Sequence, residues 1–270
     1  MAETELALTL SPSPHLRSPD TVSKAMRDVL IALTPVTLVS IYWFKYYAVF
    51  LIFVCITTAV LTELLFRKLM NKPPSLHDGS AMVTGLLVAL VFGPSTAWWT
   101  AALSTFIAIG IAKELMGGLG WNRFNPALFG RLSVIILAPI FTFFTVTFAP
   151  LRPFLGKIDM VSQATPLALL KQGLPMPGLL DLFIAYPGGS LGETSALALL
   201  LGGAYLLYKK HITWHIPASI IGAVFVMALL LGEHPLYHIF TGGVLLGAFF
   251  MATDWVTSPI TSRGKLIFGA

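Results

Sequence analysis

The sequence predicts an all-α integral membrane protein with about eight bilayer crossings, and three observations carry that expectation. Hydrophobic residues make up 56% of the chain and charged residues 11%, with a mean hydropathy of +0.82. A soluble domain carries about a quarter charged residues. The apolar residues fall in blocks rather than amphipathic stripes, at 29–44, 47–66, 79–93, 97–112, 127–148, 191–208, 212–232 and 241–256. Each block approaches the roughly 20 residues that cross a hydrocarbon core as a helix. The basic residues sit between blocks and favour one side.

A polar tail, 1–27, comes before the first block and holds the helix-disfavouring run Ser11-Pro12-Ser13-Pro14-His15. The apolar run behind it is too long for a cleavable signal core. Residues 42–46 put aromatic and lysine anchors at an interface and turn the chain into the second block. Cys55, the only cysteine, lies inside that block and reads as a packing residue. A lone cysteine excludes an intramolecular disulfide and a cysteine-ligated cluster. The third block is the weakest, with Gly79, Gly85 and Gly93 and a proline exit at Pro94. Trp98 and Trp99 anchor the start of the fourth at the opposite interface.

The fifth block opens on Asn125-Pro126, a cap followed by a first-turn proline. The run from Gly117 to Asn125 before it resembles a re-entrant or unwound approach. Its glycines are no dinucleotide fingerprint, because no strand precedes them. Gly188-Gly189-Ser190-Leu191-Gly192-Glu193 opens the sixth block, Lys209-Lys210-His211 leads into the seventh, and Asp254 closes the eighth.

With a cytoplasmic amino terminus, Arg17, Lys24, Arg27, Arg67, Lys68, Lys72, Lys113, Arg123, Lys209, Lys210, Arg263 and Lys265 fall inside. Only Lys45, Arg152, Lys157 and Lys171 fall outside, with Arg131 inside a crossing. That is the positive-inside bias, and it places the loop 149–190 on the extracytoplasmic side. The orientation depends on the third block, since dropping it inverts everything after it. A net charge of +5 distributed as punctuation between helices argues against nucleic-acid binding.

Asp78-Gly79-Ser80 opens the third block and Thr241-Gly242-Gly243 the eighth, from opposite sides of the bilayer. This echo predicts two inverted repeats of five crossings each. The expected organisation is a tail (1–27), a first repeat (28–148), a loop (149–190) and a second repeat (191–270). A full second repeat needs a ninth and a tenth crossing. The chain closes on Leu266-Ile267-Phe268-Gly269-Ala270, the opening of a further helix, so ten helices are expected in the full architecture.

Polar groups in hydrocarbon are costly and mark buried packing or a pathway. Asp78 either caps the third helix or lines an ion route. Arg131 lies where a cation needs a partner or an anion such as a phosphate. Gly192 and Glu193 mark a helix start that suits a phosphate, or Glu193 simply complements the helix dipole. Asp254, an acid at a helix end, needs a partner, with Arg263, Lys265 or a monovalent cation available. Lys113-Glu114 could form a neutralising pair at the membrane edge. His211 and His215, spaced by four, would share a helix face but have no third ligand, so no metal site is expected. No nucleophile elbow or zinc-protease motif occurs.

Taken together, the segments 78–90, 117–131, 159–167, 192–206, 241–259 and 264–269 resemble the D subunit of the Rnf electron-transport complex and its homologue, the B subunit of the sodium-pumping NADH:quinone oxidoreductase. The resemblance implies two inverted repeats similar to urea and ammonium channels. It also implies FMN in phosphoester linkage to a threonine, installed by a flavin transferase on a motif of the form Asp-x-x-Ser/Thr-x-Ala-Thr. Asp159, Ser162, Ala164 and Thr165 fit that motif, while Gln163 stands where a small residue is common. A threonine hydroxyl on a loop is open to a modifying enzyme, unlike one back-bonded within a helix. The cofactor supplies the chemistry, and the protein supplies position and electrostatics.

As polar groups or glycine-rich helix ends in an apolar background, Asn125, Arg131, Gly192 and Glu193 are expected near the cofactor, and Asp78 and Asp254 along an ion route. The resemblance admits a second, non-covalent flavin such as riboflavin. The implied partners are the G flavoprotein subunit, the C, A, E and B subunits, the transferase and membrane lipid, in a bacterial or archaeal cytoplasmic (inner) membrane. The expected function is electron transfer coupling ferredoxin–NAD electron flow to Na+ or H+ translocation. A channel or secondary transporter without redox chemistry fits inverted repeats and broken helices as well.

Overall fold

The structure, a computed structural model, describes residues 21–73, 75–147, 166–167, 172, 176–186, 188–241 and 243–270, with side chains omitted for 138–147. Thr165, Asp159, Ser162 and Ala164 therefore lie outside the described residues, as does the tail 1–20. Everything regular among the described residues is helical, and no strand occurs there.

Helices α1 (Val22–Phe44) and α2 (Tyr46–Leu69) are long and apolar enough to cross a membrane. Thr21 caps α1, its hydroxyl accepting from the Lys24 amide at 3.3 Å. One non-helical residue, Lys45 at φ 51°, separates the two helices in the expected turn. A 3-10 turn (Leu76–Asp78) leads to α3 (Ser80–Val91). Helix α4 (Trp98–Ile109) runs on into a π-helical segment (Gly110–Leu115), and α5 spans Pro126–Thr147. A short α6 (Leu179–Ile184) and a 3-10 turn (Leu191–Glu193) precede α7 (Ala196–Tyr208). Then come α8 (His215–Leu230), α9 (Pro235–Phe240), α10 (Val244–Leu246) with its π segment (Gly247–Met251), and α11 (Ser262–Gly269).

Every predicted apolar block is thus helical in part, but several helices are shorter than a bilayer. α3 has 12 residues, about 18 Å at 1.5 Å per residue, against a core of roughly 30 Å. It ends where Phe92 turns extended (φ −89°, ψ 151°) ahead of Gly93-Pro94. The sixth block breaks at Ser195, whose extended backbone (φ −152°) and hydroxyl cap restart the helix at Ala196. Such broken helices survive in a membrane only where protein covers the freed backbone groups. That condition is met here: the Leu191 amide donates to Phe92 O at 2.9 Å, and the Ser40 hydroxyl donates to Leu191 O.

Between helices in lipid the hydrophobic effect gives little, so close backbone packing does more of the work. α1 packs on α7, where a Cβ on Gly202 would stand 2.1 Å from the Ala32 carbonyl oxygen. α2 packs on α3 at Gly85, where a Cβ would sit 3.0 Å from Cys55 O. Cys55 is fully buried there, as its packing role requires. Phe53 and Leu61, 65% and 60% exposed, belong to the outward surface of α2, as expected of a lipid-facing side.

Candidate functional site

The ends of many elements converge on one cavity of about 330 Å3. The start of α1 contributes Ala25, Met26 and Val29, and the start of α3 contributes Ser80, Val83 and Thr84. Lys113 comes from the π segment after α4, and Gly120, Asn122 and Asn125 come from the approach to α5. Leu206 and His211 lie at the end of α7, and Phe249, Phe250 and Asp254 close the far wall. The walls are largely apolar, with a few polar groups converging at the rim, the usual make-up of a small-molecule site.

Asn125 caps α5 as its sequence context predicts. Its Oδ1 accepts from Ala127 N at 3.0 Å and Leu128 N at 3.3 Å, while Nδ2 donates to Met251 O at 3.0 Å. One side chain therefore starts α5 and also holds the end of the last π segment. Positive φ at Gly117, Gly118 and Gly120 makes this approach an unwound stretch. Nothing lies within 4 Å of where a Cβ on Gly120 would stand, so its Cα faces open cavity.

Asp254 finds neutral donors rather than the basic residues available to it in the sequence. Val256 N (3.4 Å) donates to Oδ1, while Thr257 Oγ1 (3.2 Å) and Asn122 Nδ2 (3.4 Å) reach Oδ2. Arg263 and Lys265 instead lie on α11, which packs against α8.

Beside the cavity lies a buried charge cluster. Lys113 Nζ donates to Glu63 Oε2 at 2.7 Å and to Ser80 Oγ at 2.6 Å, and both ionic side chains are almost fully buried. The Ser80 hydroxyl donates to Asp78 Oδ1 at 2.7 Å, the Ser80 amide donates to the same oxygen at 2.8 Å, and the Ser75 hydroxyl donates to Glu63 Oε1. Asp78 thus caps α3 and ends a chain of polar groups that reaches Lys113.

The expected Lys113–Glu114 pair does not form. Neighbouring residues on a helix point in different directions, and Glu114 instead meets Arg67 Nε at 2.8 Å. Glu63, Ser75 and Arg67 are the residues the sequence pattern does not single out. The signal for Glu63 is an acid within the last turn of the apolar block 47–66, where an uncompensated charge is costly.

A second network joins α1 to the end of α7. His211 Nε2 meets Asp28 Oδ2 at 2.6 Å, Tyr205 donates to Asp28 Oδ1 at 3.0 Å, and Trp255 Nε1 donates to His211 O at 2.7 Å. His211 and His215 do not share a helix face, because α8 begins only at His215, whose ring stacks on Trp214.

Arg131, Gly192 and Glu193 sit away from this cavity, at the far end of α3. Arg131 donates to Val91 O and lies over the Phe92 ring at 5.5 Å, so the terminal carbonyl of α3 and an aromatic face answer its charge. Gly192 is a packing residue, since a Cβ there would come within 3.0 Å of Leu90 O and 2.8 Å of Leu246. Glu193 forms a capping box with Ser190. The structure therefore places Asn125 and Asp254 on one chamber, with Asp78 behind its lining residue Ser80, and Arg131, Gly192 and Glu193 around another point.

The model of the NQR2, RnfD, RnfE family matches residues 9–270. The chain is 43% identical to the D subunit of the Na(+)-translocating ferredoxin:NAD(+) oxidoreductase complex of Acetobacterium woodii, across 98% of this chain and 82% of the relative. It is 40% identical to the D subunit of the proton-translocating ferredoxin:NAD(+) oxidoreductase complex of Clostridium ljungdahlii, across 99% and 86%. It is 36% identical to the D subunit of the ion-translocating oxidoreductase complex of Rhodobacter capsulatus, across 95% and 81%.

Proposed function

The chain belongs to the NQR2, RnfD, RnfE family, and from that premise we propose that it is the D-type membrane subunit of an ion-translocating ferredoxin:NAD oxidoreductase complex, relaying electrons on flavin. The observation that carries this reading is similarity along nearly the whole chain to proteins bearing that name, at 43% and 40% identity. A channel without redox chemistry shares the broken helices but has no such support.

In this reading the chain crosses the membrane repeatedly with its amino terminus in the cytoplasm. The convergence of the starts of α1, α3 and α5 with the ends of α4 and α7 on one cavity supports that alternation. The loop 149–190 then lies outside the cytoplasm and carries FMN on Thr165, with Asp159, Ser162 and Ala164 forming the sequence a transferase reads. Pro166, which follows Thr165, is buried, and its Cδ lies 3.2 Å from where a Cβ on Gly188 would stand. Electrons enter from the neighbouring G flavoprotein subunit at that face and pass inward.

The cavity is the fitting place for a second, non-covalent flavin. Its 330 Å3, its apolar walls, the Asn122–Asn125–Asp254 rim and the open face at Gly120 suit a flat heteroaromatic ring. When bound, that group supplies one-electron chemistry. The chain's part is to orient it with Asn122 and Asn125 and to exclude water with Val83, Phe249 and Phe250. Relatives are named for Na+ and for proton translocation alike, so the ion is assigned only as a monovalent cation. Asp254 is met by neutral donors alone among the described residues, which leaves room for a passing cation at its carboxyl group.

In-gel fluorescence of the denatured chain under ultraviolet light, after co-expression with the transferase, tests the tether. Wild type should fluoresce and Thr165→Ala should be dark. A fluorescent Thr165→Ala band, or a dark wild type, removes the tethered flavin.

A further inference from the structure

Lys113 is a buried cation with no evident need to be one. Its side chain is 2% exposed, and its ammonium donates to two acceptors, Glu63 Oε2 and Ser80 Oγ. An ammonium carries three donors, so one is uncommitted among the described residues. The same side chain forms part of the cavity wall, next to Ser80. Replacing a buried ion pair by apolar residues is often neutral or even stabilising, so the pair is weak evidence for a purely structural role. The lysine is also firmly held: α2 supplies Glu63, the start of α3 supplies Ser80, and Ser75 and Asp78 hold those partners in turn. A firmly held ammonium therefore borders a chamber whose walls are largely apolar, with Asp254 among its other polar lining residues.

We propose that Lys113 sets the electron affinity of the flavin in this cavity: its ammonium stabilises the negative charge that arrives with an electron, and Glu63 moderates that attraction. The proposal rests on the reading of the cavity as a non-covalent flavin site. In the step concerned, one electron arrives from a donor of the flavin or iron–sulfur class, and one electron later leaves to an acceptor of the same classes. No bond forms or breaks and no proton moves, so the added charge is met by fixed groups of the lining, among which Lys113 is a buried ammonium.

The test uses the intact complex and two readouts, the content of non-covalent flavin and its midpoint potential in a spectroelectrochemical titration. Lys113→Met should keep the flavin and lower its potential, cutting the reduced-to-oxidised ratio at fixed ambient potential about tenfold, the order expected of one charge roughly 10 Å away at an effective dielectric constant near 20. Glu63→Gln, which keeps the shape and removes the counter-charge, should shift the ratio the opposite way. Lys113→Arg should stay near wild type. A merely structural pair gives no such opposed shifts, and unchanged potentials with flavin retained overturn the proposal. Should the Lys113→Met complex fail to assemble, the sign of the Glu63→Gln shift decides alone. Val83→Phe fills the chamber and tests the underlying reading separately. Loss of non-covalent flavin supports the site, whereas undiminished flavin removes the site and the proposal with it.

Discussion

The helix beginning at Ser80 and the helix beginning at Val244 share a backbone device. Each follows a left-handed glycine, Gly79 at φ 76° and Gly243 at φ 73°, and neither has a side chain capping its first amides from that position. Their surroundings differ. Around the start of α3 lie Asp78, Lys113 and Glu63 in one hydrogen-bonded chain. At the start of α10, the carboxylate of Glu193 lies 3.3 Å from where a Cβ on Gly243 would stand, and that carboxylate is part of a capping box. One start is wired to a buried cation beside a chamber, whereas the other is closed by local turn chemistry. A backbone motif can recur while the electrostatics that give it a task do not.

The largest effect expected from this contrast comes from breaking the wired start. Glu63→Ala leaves Lys113 buried without its counter-charge and should cost about 3–5 kcal/mol. The readout is a lowered thermal midpoint of the purified complex. Pairing Glu63→Ala with Lys113→Ala should recover part of that loss, and the double-mutant cycle measures the coupling. Additive losses would mean the two groups do not act as a pair.

Next in size is the network that ties the first half of the chain to the second beside the same chamber. Asp28→Ala takes the shared acceptor from His211 and Tyr205 and should cost about 1.5–3 kcal/mol, the range for hydrogen bonds to a charged group. Hydrogen exchange should speed up at the end of α7 while α2 stays protected. Uniform deprotection would make the network part of the general core rather than a local tie.

Much of this architecture is legible in the residues. Apolar blocks locate the helices, because segments in lipid or a dry interior must be apolar, though they overstate the lengths of α3 and α7, and Asn125-Pro126 announces the start of α5 through a cap and a proline acting together. The Lys45 turn is legible for a similar reason, since aromatic and basic anchors mark an interface. The π segments at Gly110–Leu115 and Gly247–Met251 leave no such trace, because hydropathy does not register one extra residue in a turn. The Glu63–Lys113 pair is also hidden: the partners are 50 residues apart, and the adjacent Glu114 offers a nearer acid whose direction on the helix is wrong. Arg131 is legible as a cation in need of a partner. That the partner is the carbonyl end of α3 follows only once α3 is seen to stop at Val91.

The shared backbone gives the sharpest symmetry test. Gly79→Ala and Gly243→Ala each force a side chain into left-handed backbone at a cost of about 1–2 kcal/mol. Gly79 has only Met26 Cβ near the added carbon, at 3.6 Å, and Gly243 has only the Glu193 side chain, nearest atom 3.3 Å, so conformation should dominate both. Near-equal losses in thermal midpoint are expected, and a gap wider than about 1 kcal/mol would mean that the two starts are not held alike.

The smallest effect belongs to the locally closed start. Ser190→Ala removes half of the capping box beside Gly243 and should cost about 1 kcal/mol. It should leave the contents of both proposed flavins unchanged, because Glu193 and its turn lie at the far end of α3 from the chamber. That makes it a control for the wired start: a stability loss imposed away from Lys113 should not move the potential of the proposed non-covalent flavin. If Ser190→Ala does shift that potential, the electrostatic field at the chamber is not set by Lys113 and Glu63 alone, and the distinction between the two helix starts weakens accordingly.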